Sequence, residues 1–242
     1  MSTDAGFAIG PSTVDPRTGE ILNAQVAIPE VWSRSHRTFV VGAGAVRLAG
    51  VRRVQGIARR STARLCTYAS DALSEMQFGL DVLLERGEIE PGSPEADAFV
   101  NASLKAAVMH EVGHTLGLRH NFRASTVYPL AKISDPTWSR EHGISGSVMD
   151  YNPINIAVKG EAQGAYFEPT IGPYDYWAIE YAYRPLPKET EADELAKIAA
   201  RGATDPLLAF SSDEEAIAGL DPDASRFDLG IRSARLPAEK TR

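Results

Sequence analysis

The clearest periodicity lies within residues 61–86, where Leu65, Ala69, Ala72, Leu73, Met76, Leu80 and Leu83 recur at three- and four-residue spacing. Such a stripe predicts an amphipathic helix with one apolar face, and Gly87 supplies its stop. After the turn-forming Glu90-Pro91-Gly92-Ser93-Pro94, a second helix is predicted from about residues 95–98, running through Val100, Leu104, Ala107 and Val108. Near the N-terminus the pattern changes to a hairpin. Residues 7–14 lead into Asp15-Pro16-Arg17-Thr18-Gly19, and residues 21–28 then alternate, with Leu22, Ala24, Val26 and Ile28 on one face. This period of two predicts a half-buried strand, and residues 38–41 suit a further short one. Beyond residue 118 the chain is irregular and punctuated by Gly and Pro as far as Pro173. A short helix over 174–183, another over 188–201 and a loosely patterned acidic tail complete the pattern. There is no internal repeat.

Composition narrows the class. Of the 242 residues, 43% are hydrophobic and 24% charged, which suits a packed globular chain rather than a disordered one. The longest run without a charged side chain is ten residues, half of the roughly 20 needed for a membrane-spanning helix. The first residues form neither a basic n-region nor an apolar h-region, so no signal peptide is expected in this sequence. Cys66 is the only cysteine, which excludes an internal disulfide or a multi-cysteine zinc site, and it is read as buried on the first helix. A net charge of −7 argues against nucleic acid as a partner. Residues 31–70 do carry eight arginines and no acid, but without interleaved aromatics they read as a solvated or internally paired face. Val40-Val41-Gly42-Ala43-Gly44-Ala45-Val46-Arg47 echoes a dinucleotide-binding loop. Arg47 replaces the third glycine, however, and no acid precedes Asp71 to hold a ribose, so a flexible loop is the better reading.

Candidate chemistry concentrates on the second helix. His110-Glu111-Val112-Gly113-His114 puts two histidines four residues apart on one helical face, where both imidazoles reach one ion. Glu111, beside the first, is placed to approach water held by that ion. For His120 to reach the same ion, the chain must turn sharply after the helix. Gly117 in a left-handed conformation ends a helix at little cost. Three neutral nitrogen ligands and an open fourth position are the arrangement of a catalytic zinc. Two surface histidines would explain the pentapeptide alone, but they do not explain the added glycine and third histidine. His36 and His142 have no such partners and read as surface or satisfied core residues.

Residues 110–120 resemble the long zinc signature of the metzincin metallopeptidases. Ser147-Val148-Met149-Asp150-Tyr151 resembles their Met-turn, with Met149 placed 29 residues after His120. The resemblance implies an α+β, zincin-like catalytic domain: a small mixed sheet, a backing helix, the zinc helix, the Met-turn and a C-terminal helix. It implies Zn2+ on His110, His114 and His120, Glu111 as general base, and Gly117 and Met149 in structural roles. Tyr151 matches the tyrosine that, in the astacin- and serralysin-like branches, ligates the metal and supports the reaction intermediate; as an isolated residue it would read as a loop anchor. Further segments resemble a group of large bacterial zinc-dependent metalloproteases: residues 15–22, His120-Asn121-Phe122, residues 147–153, Gly172-Pro173-Tyr174-Asp175-Tyr176-Trp177 and Leu220-Asp221-Pro222.

The expected organisation is an N-terminal subdomain over residues 1–117, a C-terminal subdomain over 118–185 with the third histidine and Met-turn, and a helical, acidic tail over 186–242. The expected function is zinc-dependent endopeptidase, acting on a peptide or protein substrate. The alternative is an inactive or truncated relative that binds zinc or peptides without turnover. In the resembling enzymes more sheet and a backing helix precede the hairpin. Met1 falls almost directly before it here, so the reading is of a fragment or truncated start with an incomplete sheet, taken from a longer parent with flanking domains. The resemblance also implies an extracytoplasmic location, secreted or periplasmic.

Overall fold

The computed structural model describes residues 12–26, 28 and 68–218. The chain divides into two compact units, residues 1–116 and 117–242.

In the first unit, β1 (Ser12–Val14) and β2 (Ile21–Ala24) form an antiparallel ribbon pairing Ser12 with Ala24 and Thr13 with Asn23, with a register shift before Val14. The turn closes as Asp15 N–H donates to the Glu20 carbonyl at 2.8 Å. The expected half-buried face does not appear: Leu22 is 61% exposed and Val14 is also exposed. Alternation says which side chains share a face, but burying that face requires a covering layer. Among the described residues this sheet has only two strands.

The two predicted helices are present. α1 (Tyr68–Glu85) buries Tyr68 and five of the seven stripe residues, Ala72, Leu73, Met76, Leu80 and Leu83, while Leu65 and the Ala69 side chain lie outside the description. It stops at Gly87, whose N–H donates to the Leu84 carbonyl while Glu88 N–H donates to that of Leu83, a Schellman closure. α2 (Pro94–Thr115) starts on a Ser93 cap, whose Oγ accepts from Ala96 N–H at 3.2 Å, with Pro94 in the first turn and the acids Glu95 and Asp97 at the positive end of the helix dipole. Its buried face combines Phe99 and Val100 with the small Ala96, Ser103, Ala106 and Ala107, and α1 packs on α2.

The second unit is built from short pieces. A 3-10 turn (Ala124–Thr126) is followed by α3 (Leu130–Ile133), α4 (Pro136–His142), α5 (Pro173–Tyr183), α6 (Glu191–Ala200) and α7 (Asp213–Ala218). The stretch read as irregular therefore contains two helices. Asp135 caps α4 by accepting from Thr137 and Trp138 N–H at 2.8 and 2.9 Å. A small core of Tyr128, Ile133 and Ile144 gathers Val127, Leu130, Trp138 and Ala165. Trp177 on α5 donates its indole N–H to the Ile198 carbonyl of α6 at 2.7 Å. Among the described residues no helix is long and apolar enough to cross a membrane.

Candidate metal centre

The last two turns of α2 carry His110 and His114. His110 is fully buried, with its ring stacked on Tyr68 of α1 at 4.2 Å between centroids, and His114 stands edge-on to it at 4.8 Å. The helix closes at Leu116, whose N–H is shared between the Val112 and Gly113 carbonyls at 3.1 Å. Gly117 follows at φ +87°, a conformation that strains any residue with a Cβ and that turns the chain out of the helix. Three residues later His120 brings its ring back: one nitrogen from each of His110, His114 and His120 lies within 4.8 Å of the other two.

The donor set suits zinc. Tetrahedral donors bonded at about 2.0–2.1 Å stand roughly 3.3 Å apart, so small side-chain rotations would close the three rings on one ion. Among the described residues three imidazole donors converge, and a tetrahedral ion on three donors would keep a fourth position for water, as catalytic rather than structural zinc requires. Glu111 lies one residue after the first histidine and is fully buried.

His120 is held on several sides. Its Nδ1 lies 2.8 Å from Asp213 Oδ2, the Tyr151 ring meets it edge-on at 4.8 Å, and Phe122 lies at 5.3 Å. Asn121, next in the chain and fully buried, acts as a junction. Its N–H donates to the Met149 carbonyl at 3.0 Å, its Nδ2 to the Ala209 carbonyl at 2.9 Å, and its Oδ1 accepts from Arg123 and Ser211 N–H at 3.2 Å. Through its backbone this residue ties the third histidine to the methionine turn, and through its side chain to residues 209–211.

The turn around Met149 is itself pinned from below. Asp175, in the first turn of α5, accepts from Ser147 Oγ–H and from Val148 N–H at 2.9 Å, and closes its own helix by accepting from Gly172 N–H at 2.8 Å. Ser147 Oγ in turn accepts from Met149 N–H at 3.0 Å. Burial pushes the Asp175 carboxyl above its ordinary value, against the pull of these three hydrogen bonds. Gly172 is required by close approach, since a Cβ there would collide with the Gly146 carbonyl oxygen. Beside this turn, Glu168 accepts from Ile144 and Ser145 N–H at 3.2 and 2.9 Å, and complete burial raises it to about 8. The nearby Asp175 carboxylate pushes it in the same direction, while the two N–H donors pull it back.

The structure thus brings His110, His114 and His120 together, buries Glu111 on the same helix, sets Tyr151 against His120, and joins the Met149 carbonyl to the backbone after His120. His142 is apart from this group, stacked on Trp138 at 4.7 Å. His36, Cys66, the arginine-rich segment, the glycine-rich loop at 40–47, the strand expected over 38–41 and Leu220-Asp221-Pro222 lie outside the described residues. The residue that sequence reasoning missed is Asp213. It sits 93 positions from His120 in an acidic run, Asp213-Glu214-Glu215, that reads as solvated tail.

A helix ending at a left-handed glycine, with three histidines converging across that turn and a pinned methionine turn after them, defines a metal centre of the zincin class. The chain belongs to the Met-zincin family, whose sequence model matches residues 92–236. No curated protein and no solved structure matches it. Family membership together with the histidine cluster points to a zinc metallopeptidase.

Proposed function

We propose that the chain is a zinc-dependent endopeptidase that hydrolyses peptide bonds in protein or peptide substrates. The convergence of His110, His114 and His120 carries this reading, because three imidazoles around one point have no better explanation than a shared ion. Zinc bound there supplies Lewis acidity and a water acidified to a pKa of about 7. Glu111 would take a proton from the attacking water and deliver it to the leaving amine, a role supported by its burial on α2 next to His110. The Tyr151 hydroxyl would donate to the oxygen that gains charge as the carbonyl is attacked, a role supported by the edge-on contact of its ring with His120. Gly117 and Met149 are structural, the first bending the chain and the second underlying the site. An extended peptide would pair with the edge of the hairpin strand, where main-chain hydrogen bonds bind without selecting side chains. The resemblance to large bacterial zinc metalloproteases supports an extracytoplasmic place of action and a longer parent chain.

The direct test is cleavage of an unstructured protein substrate by the purified chain. Cleavage is expected to stop on chelation and return with added zinc. Cleavage indifferent to chelator would refute the proposal.

Tyr151→Phe tests the tyrosine separately. Loss of one donor to the developing oxyanion is expected to lower kcat by about 10²-fold with little change in KM. A parallel loss of zinc and thermal stability would show instead that Tyr151 is only a packing anchor.

A further inference from the structure

Resting on the zinc reading above, we infer that Asp213 is a positioning residue for the third histidine, a carboxylate that holds His120 through Nδ1 and leaves Nε2 to face the ion. The two atoms lie 2.8 Å apart, and the contact is largely shielded, with side chains 9% and 22% exposed for His120 and Asp213. A hydrogen bond on one ring nitrogen decides the tautomer and the direction of the other, and a carboxylate in that place also makes the ligating nitrogen more basic.

The contact is built into the fold. Residues 119–122 run alongside 211–214 in the opposite direction. Arg119 Nη2 meets both Glu214 oxygens at 2.7 and 2.6 Å, His120 meets Asp213, and Phe122 N–H donates to the Ser211 carbonyl at 2.9 Å. The Asn121 side chain binds Ala209 and Ser211 between them. Asp213 is further fixed as the first residue of α7, whose start is closed when Ser212 N–H donates to Glu215 Oε2. The Arg119–Glu214 pair is exposed, with both side chains more than half accessible, and contributes little by itself. The shielded pair beside it is the one aimed at the site. Asp213, within a stretch that reads as tail, is thereby the one acid of this run that reaches the third histidine.

The test compares Asp213→Ala, Asp213→Asn and Glu214→Ala in the full chain, measuring zinc affinity by competition with a chromogenic chelator and the Tm of the metal-free protein. Asp213→Ala is expected to weaken zinc about 10–100-fold, the range for losing the partner of a metal-bound histidine. Asp213→Asn, which can still accept from the Nδ1–H, recovers part of that loss. Glu214→Ala leaves affinity unchanged, and the metal-free Tm of all three stays near wild type. Wild-type affinity in Asp213→Ala would overturn the inference. So would a loss shared equally by Glu214→Ala and matched by a fall in metal-free Tm, which would show a clasp and nothing more. Failure of the unaltered chain to bind zinc would instead strike the function proposed above.

Discussion

Glu111→Gln is expected to bind zinc as the unaltered chain does while losing peptide hydrolysis by about 10²–10⁴-fold, the usual contribution of a general base. The amide matches the carboxylate in shape, so α2 and its two histidines should keep their places. It cannot take up the proton that must leave water before a peptide carbonyl is attacked. Glu111 is completely buried on the same helical turn as His110, so its position is set by the helix rather than by a mobile loop. The check is kcat/KM on an unstructured substrate, alongside zinc content of the same preparation. Retained turnover would remove Glu111 from the chemistry, and a loss of zinc would give it a role in the fold of the site rather than in proton transfer.

Asp175→Ala is expected to cause the largest loss of stability. Its carboxylate accepts from Ser147 Oγ–H, Val148 N–H and Gly172 N–H, all in buried surroundings, so truncation strands three donors and opens a void beneath the methionine turn. Stranded buried donors cost about 1–3 kcal/mol each, which puts the total near 3–5 kcal/mol after partial relaxation. In a chain of this size that corresponds to a fall in Tm of about 10 °C. Thermal unfolding of the metal-free variant measures it. A shift of about 2 °C or less would mean that the turn is held by other contacts.

Much of this site is legible in the order of the amino acids, for reasons that belong to particular residues. The stripe from Leu73 to Leu83 repeats over several helical turns, and repetition is what makes a period detectable. His110, His114, Gly117 and His120 lie within eleven residues, so helix geometry and one glycine suffice to relate them. α3 and α4 are hidden because four and seven residues are too few to establish a period; only the Asp135-Pro136 start signal could have revealed α4. Leu22 misleads because alternation carries no information on whether another layer covers the face. Asn121, Asp175 and Asp213 act through contacts across 28 to 93 positions, with no spacing rule to announce them. The runs Gly172 to Trp177 and His120 to Phe122 do stand out by resemblance. The fold supplies the physical reason: each contains the residue that ties the methionine turn in place.

Zinc stoichiometry in the full chain decides whether the three imidazoles share one ion. After reconstitution and removal of loosely held metal, elemental analysis is expected to find one zinc per chain, and none or nearly none in His120→Ala. No retained zinc, or equal retention without His120, would mean that the three histidines do not form a shared site.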